Sequence, residues 1–190
     1  MEITIVTADG NHVIANPYCN EDLFWALRGG GGGTWGVVTS VTYKSYPSTP
    51  YSSVLFDAYS TNVTSIREVL KEAIRLTPSL VEQGYGGYGG GSTGRFFLIV
   101  VSPNVTEEQT RATFRPLFDL AISLPSVTLQ NYTILYRDLW QFNDVILNSK
   151  DGQVGAPTEI SSWLLPKRVF EADDPGKLAD ELLKLSSFGY

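Results

Sequence analysis

The chain has 190 residues, 43% of them hydrophobic and 12% aromatic, with a formal charge of −6 and a pI near 4.8. That content supports a packed core and excludes a mostly disordered chain, and the lack of a basic cluster argues against nucleic acid as a partner. No apolar run reaches the ~18 residues of a membrane span, and one cysteine with one histidine excludes a disulfide framework and the usual zinc site, so neither membrane nor metal is expected.

Residues 2–8 (EITIVTA) alternate apolar and polar, as a half-buried strand does. Asp9, Gly10 and Asn11 form a hairpin-type turn, and residues 12–15 read as the returning strand. Asn20 is a helix N-cap by type, Glu21 and Asp22 suit the first turn, and Gly29 suits the C′ position after the helix DLFWALR. Residues 36–46 are rich in β-branched side chains and predict a strand. The proline-bracketed stretch 47–50 is a domain boundary by composition.

Beyond it, residues 51–59 predict a strand. Thr64 is expected to cap a helix whose apolar positions Ile66, Val69, Leu70, Ala73 and Ile74 share one face. Residues 82–90 and 95–102 predict two strands about a Gly-Ser-Thr-Gly turn. Thr106 opens a helix expected to bend or restart at Pro116. A strand over 126–134, a helix over 135–147, a strand over 158–165 and a helix starting at Asp174-Pro175 complete the chain. The fold class is α+β, the second half having a mostly antiparallel sheet with helices on one face.

The stretch LRGGGGGTWGVVTS, residues 27–40, contains five consecutive glycines and matches a dinucleotide fingerprint as a string. A fingerprint needs strand, glycines, then helix, so that a helix N-terminus points at pyrophosphate. Here a helix precedes the glycines and a strand follows, so the carbonyl end of the helix faces them. A phosphate-binding P-loop also fails, since no Gly-Lys-Ser/Thr follows. Two readings remain. One is a flexible connection; the other is a corner where backbone comes close to a ligand and the next strand offers peptide groups to a flat heterocycle.

Residues 20–47, preceded by VTADG at 6–10, resemble the end of the PCMH-type FAD-binding domain of the vanillyl-alcohol-oxidase / berberine-bridge-enzyme-like superfamily. Within it the similarity is to fungal FAD-linked oxidases, isoamyl alcohol oxidase-like proteins among them, and it continues more loosely through residues 77–88 and 102–108. The resemblance implies FAD as cofactor, with backbone contacts at Gly36, Val37 and Val38 near the adenine. It also implies that a pyrophosphate-binding N-terminal FAD-binding segment, carrying the residues of covalent flavin attachment, belongs upstream. On that reading 1–47 is the C-terminal part of an FAD-binding domain, 51–190 is an incomplete substrate-binding domain, and the chain is an internal fragment. His12 reads as a strand-surface residue and Cys19 as a half-buried bystander.

In that family the substrate-domain sheet covers the open face of the flavin, which makes Tyr85 and Tyr88 the candidate catalytic residues. Aromatic packing over glycine gaps is the competing account of both. Tyr136 and Trp140, at helical spacing, read as core or helix surface, and the acidic residues of 171–181 as a solvated helix start. Trp163 stands where relatives often carry arginine, implying a missing polar substrate contact. Three sequons, at Asn62, Asn104 and Asn131, exceed the roughly one or two that eight asparagines give by chance, and point to a secreted glycoprotein.

The function implied is part of an FAD-dependent oxidoreductase. It would oxidise an alcohol, sugar or secondary-metabolite C–H of a small-molecule substrate, with hydride transfer to flavin and oxygen as acceptor. The alternative is a non-catalytic truncated fragment acting only as a binding or structural module. Exposed sheet surface in strands 2–8 and 36–46 predicts oligomerisation or partner contact there.

Overall fold

The structure is a computed structural model that describes residues 1–31, 33–147, 162 and 164–185. The chain divides into two compact units, Met1–Pro47 and Ser48–Tyr190.

The first unit holds β1 (Glu2–Val6), β2 (His12–Ala15), α1 (Glu21–Leu27) and β3 (Val37–Thr42), its sheet running β2-β1-β3 with both pairs antiparallel. The β1–β2 turn is tied by Asp9, whose carboxylate accepts from the Thr7 hydroxyl and the Asn11 amide, while Gly10 takes φ +83°. Ile3, Ala15 and Phe24 are buried together, with Leu23, Leu27 and Val41 packed around them. Alternation puts one face of β1 under α1, and the short apolar helix supplies the other half of this small core.

Two expectations at the ends of α1 are corrected. Asn20 stands at the N-cap, but in a left-handed conformation with φ 50°, and its side-chain amide donates instead to the Ile14 carbonyl at 2.7 Å. Gly29 carries no positive φ. The helix closes on Arg28 at φ −82°, the N–H groups of Gly29 and Gly30 return to the Ala26 carbonyl, and the first left-handed glycine is Gly31 at +93°. The last turn simply runs one residue further before the chain reverses.

The second unit begins with β4 (Tyr51–Ser60), α2 (Val63–Glu82), β5 (Gly86–Ser92), β6 (Arg95–Pro103), α3 (Glu107–Ser123) and β7 (Val127–Tyr136). Its sheet has the order β5-β6-β4-β7, antiparallel throughout. α2 packs on β4 and β6, and α3 on β4 and β7, so both helices lie on one face. The core there is built from Val54, Phe56 and Ala58 of β4, Ile66 and Val69 of α2, and Phe114 and Leu117 of α3, all fully buried or nearly so.

Asn62, not Thr64, caps α2: its side-chain oxygen accepts from the Thr64 N–H at 3.0 Å. Thr106 caps α3 in a reciprocal box with Gln109. That helix runs through Pro116 without restarting. Pro116 and Ala112, whose carbonyl loses its partner, both lie on the exposed side, so water replaces the missing bond while Phe114, Leu117 and Ala121 hold the buried side.

β7 extends to Tyr136, and only α4 (Leu139–Phe142) with a π-helical turn (Asn143–Leu147) follows where a helix over 135–147 was expected. α5 (Lys167–Phe170) and α6 (Pro175–Leu185) end the described chain, and Asp174 caps α6 through the Gly176 N–H at 3.0 Å. The strand expected over 158–165 falls mostly outside the described residues; residues 162 and 164–166 are in neither helix nor strand. Among the described residues no helix is long and apolar enough to cross a membrane.

Candidate functional site: a glycine corner and an open sheet face

In the first unit the glycine stretch turns the chain from α1 into the edge strand β3. Gly31 and Gly33 take φ +93° and +76°, and a side chain on Gly30 would collide with the Trp35 indole. Gly36, at φ +143°, lies so close to β1 that a Cβ would overlap the Val6 carbonyl. Its missing side chain is therefore first a requirement of strand packing.

Past Gly36, β3 pairs among the described residues with β1 alone: Val37 faces Val6 and Val38 faces Ile5. Both valines are exposed, at 69% and 42%. The register shifts between Thr4 and Ile5, which leaves Thr39 as the extra residue of a bulge. Thr39 donates to the Thr4 carbonyl at 3.3 Å and lies 3.3 Å from His12 Nε2. Sequence reasoning did not single out Thr39, and a bulge leaves no mark in a run of β-branched residues. Val38, Val41, Tyr43, Leu27 and the glycines line a pocket of about 440 Å³.

This corner suits one part of FAD. An edge strand with open peptide groups and apolar side chains beside a pocket can take the rim of a flat heterocycle. It offers little to a diphosphate. The carbonyl end of α1 faces the glycines and its N-terminus carries Glu21 and Asp22, which leaves Arg28, exposed over the Phe24 ring at 5.3 Å from its centroid, as the one cationic side chain among the described residues that line the pocket.

His12 is exposed on β2, as the sequence suggested, and Cys19 is exposed where a half-buried site was expected. β1 is the middle strand, so edge pairing by this sheet is open to β3 and closed to residues 2–6.

In the second unit the two candidate tyrosines are separated. Tyr85 is buried at 6% exposure on the helix side, its ring edge-on to Phe114 and its hydroxyl 2.9 Å from the Thr110 hydroxyl. That hydroxyl is committed to the core. Tyr88 stands on the opposite face of the sheet at 54% exposure, its ring edge-on to Phe97.

The same face carries a network the sequence did not reveal, because its members lie 38 residues apart. Arg95 donates twice to Asp57, at 2.8 and 2.7 Å, and its guanidinium lies over the rings of Tyr59 and Phe97 at 5.1 and 5.2 Å. Tyr59 donates to Asp57 at 2.7 Å. The Arg95 hydrogen bonds hold the Asp57 carboxyl below the usual range, and the bond to Asp57 raises the Tyr59 phenol. Tyr59 is thus kept as a neutral donor, and the strip Tyr88, Phe97, Arg95, Tyr59 forms a polar-edged aromatic platform.

Of the remaining candidates, Tyr136 ends β7 rather than lying in a helix, and it is buried against Phe142. Trp140 is exposed on α4. Asp180 pairs with Arg67 of α2, and Asp173 and Glu181 are exposed. Asn62 and Asn104 are exposed. Trp163 and the Asn131 side chain lie outside the described residues.

No family model matches the chain. An uncharacterized FAD-linked oxidoreductase of Arthroderma benhamiae is 32% identical over 98% of this chain and 36% of its own length. FAD-linked oxidoreductase easE of Arthroderma otae is 34% identical over 97% of the chain and 31% of its own. Over nearly its whole length this chain is similar to fungal FAD-linked oxidoreductases. The VAO-type flavoprotein MtVAO713 of Myceliophthora thermophila shares the fold at a TM-score of 0.71 and 24% identity, over 98% of this chain and 35% of that one. A xylooligosaccharide oxidase from the same organism, solved with xylobiose, shares it at 0.55 and 18%, over 100% and 40%. The chain thus spans about a third of the length of the FAD-linked oxidoreductases it matches, and FAD is the cofactor of that family.

Proposed function

We propose that residues 1–190 are part of a secreted FAD-dependent oxidase, the first unit closing its FAD-binding domain and the second beginning its substrate domain. The reaction would oxidise an alcohol, sugar or secondary-metabolite C–H, with oxygen as final acceptor. When bound, FAD supplies the two-electron acceptor. The observation that carries this reading is the near-complete alignment of both units with FAD-linked oxidoreductases. The exposed edge at Val37 and Val38 beside the glycine corner supports it.

In this reading the residues of this chain bind and orient. The peptide groups of residues 36–38 hold the adenine edge. The platform of Tyr88, Phe97, Arg95 and Tyr59 would lie toward the substrate, where the Tyr88 phenol and the guanidinium N–H groups not bound to Asp57 offer donors to substrate hydroxyls, the Tyr59 oxygen an acceptor, and the rings apolar faces.

The poor fit to a diphosphate favours a second reading of the isolated chain, as a fragment that binds no flavin and turns over nothing. FAD titrated into purified residues 1–190, followed by flavin absorbance and calorimetry, separates the two. Weak binding at most is expected, and tight stoichiometric binding would refute the claim that diphosphate recognition lies elsewhere. Glycosylation of the sequons is tested by a glycosidase-sensitive mass shift on the protein from its native source, abolished when Asn62, Asn104 and Asn131 are all replaced by glutamine.

A further inference from the structure

Arg95 commits only part of its guanidinium. Nε and Nη2 donate to the two oxygens of Asp57 at 2.8 and 2.7 Å, a bidentate contact, and Nη1 has no partner among the described residues. The group is fixed by more than this pair, since its carbon lies 5.1 and 5.2 Å from the ring centroids of Tyr59 and Phe97. Phe97 in turn lies over Gly90, where a Cβ would come within 2.8 Å of the ring. Arg95 is exposed, so donors of fixed orientation are left for a ligand.

Asp57, by contrast, is half-buried and occupied. Its oxygens accept from Arg95 Nε, from Arg95 Nη2 and from the Tyr59 hydroxyl, and the Arg95 bonds keep the carboxyl ionised at neutral pH. The register places Phe97 and Gln130 beside Asp57, and Arg95 and Thr128 beside Tyr59. Within the four strands no other charged residue falls on this face, so its charges cancel inside one ion pair. That arrangement sorts ligands by charge. A carboxylate at Nη1 meets a guanidinium already balanced and stands beside Asp57, which repels it. A cation meets Arg95 on one side and, on the other, a carboxylate already holding three donors. A neutral ring bearing a carbonyl or hydroxyl oxygen accepts from Nη1 with no charge opposed, and exposed Tyr88 offers it an aromatic surface.

We propose that Asp57 is a specificity-determining residue, setting this platform to take neutral ring-bearing substrates through a carbonyl or hydroxyl oxygen and to reject carboxylates. The inference rests on the reading that the platform faces substrate. Asp57 acts through Arg95 and is a positioning residue: it balances and orients the guanidinium that meets the ligand. Without its charge, the same guanidinium becomes a carboxylate receptor.

Benzamide and benzoate share a shape and differ in charge, which makes them the probes. Each is titrated into purified residues 1–190 in about 0.15 M salt, so that distant charges are screened, and followed by NMR shifts of Arg95 Nε–H and of the Tyr59, Tyr88 and Phe97 rings. Benzamide should bind at least about fivefold more tightly than benzoate, and Asp57→Asn should reverse the order by at least about fivefold. Asp119→Asn, the same charge change on the exposed surface of α3, should leave the wild-type ratio as it is. A structural role for Asp57 alone would weaken both ligands together and invert nothing. Binding at these residues with benzoate as tight as benzamide, or a ratio unchanged by Asp57→Asn, overturns the charge argument while leaving the platform as a ligand surface. Silence of all four residues to both ligands overturns the proposal and, with it, the reading that the platform faces substrate. The wild-type ratio needs no variant, so the proposal stays refutable even where Asp57→Asn fails to fold.

Discussion

Replacing Gly36 by alanine should unfold the first unit while alanine at Gly29 leaves it intact. At Gly36 the backbone sits at φ +143°, a region closed to side chains, and the added methyl overlaps the Val6 carbonyl and comes within 3.1 Å of Ile5 Cδ1. Strain of that kind costs about 1–3 kcal/mol, and forcing an atom into a packed strand pair about 1–3 more. The unit has 47 residues, which at roughly 0.05–0.15 kcal/mol each gives it about 2–7 kcal/mol in all. The substitution is therefore comparable to the whole stability of the unit. Gly33 takes φ +76° in open space, so alanine there should cost only about 1–2 kcal/mol. Gly29 has neither positive φ nor a neighbour within 4 Å, and alanine should stabilise by about 0.4–1 kcal/mol. Amide exchange on β1 and β3 of the three variants measures this directly. Equal protection in Gly36→Ala and Gly29→Ala would refute the argument that the stretch is a shaped corner rather than a loose connection.

Tyr85→Phe should lose about 1–2 kcal/mol in urea denaturation, since Thr110 is left in the core without its partner, whereas Tyr88→Phe should stay within about 0.5 kcal/mol. Asp57→Asn should lower the Tyr59 titration, followed by phenolate absorbance, because the bond that raises it carries less charge. An unchanged Tyr59 titration would mean that the hydrogen bond is not formed in solution. The depressed Asp57 stabilises the fold above the ordinary carboxylate pKa, and this is lost as pH falls through its folded value, below about pH 4. The raised Tyr59 acts in the opposite direction, stabilising below about pH 10 and ceasing to do so as pH rises through its folded value. Thr106→Ala should remove the half of the α3 capping box in which the threonine hydroxyl accepts from the Gln109 N–H, and cost about 1 kcal/mol in the same denaturation experiment.

Periodicity made most elements of the fold legible, since each strand or helix has one apolar face and the spacing of Ile66, Val69, Ala73 and Ile74 or of Ile3 and Ile5 records it. End effects were less legible. Asn20, Asn62 and Thr64 are all good capping types, and which one caps depends on where the chain enters the helix, a tertiary matter. Pro116 misled because the disruption from a proline depends on whether its freed carbonyl meets water or core. The site was half legible. The edge at residues 36–38 follows from a motif on one contiguous stretch, whereas the Asp57, Tyr59 and Arg95 network exists only once β4 and β6 are in register. Tyr85 and Tyr88 look equivalent in GYGGYGG, yet they end on opposite sides of the sheet.

The two glycine-rich stretches show why composition alone assigns them no role. In residues 29–36 the glycines are needed for what the backbone does: left-handed turns at Gly31 and Gly33, and contact with β1 at Gly36. In residues 86–91 the backbone is ordinary strand, with no positive φ, and the glycines matter for what they leave out, a row of side chains beneath α2 and α6. The first stretch therefore tolerates no Cβ at its tightest corner but loses little at its open ones. The second is held close to β6 at Gly87, Gly89 and Gly91, so filling from α2 or α6 the cavity of about 690 Å³ that it leaves is the only substitution route that spares the strand. A Leu70→Trp variant that fills the cavity should raise stability or leave it unchanged in urea denaturation, and a loss of more than about 1 kcal/mol would refute the reading that the glycines leave usable space there.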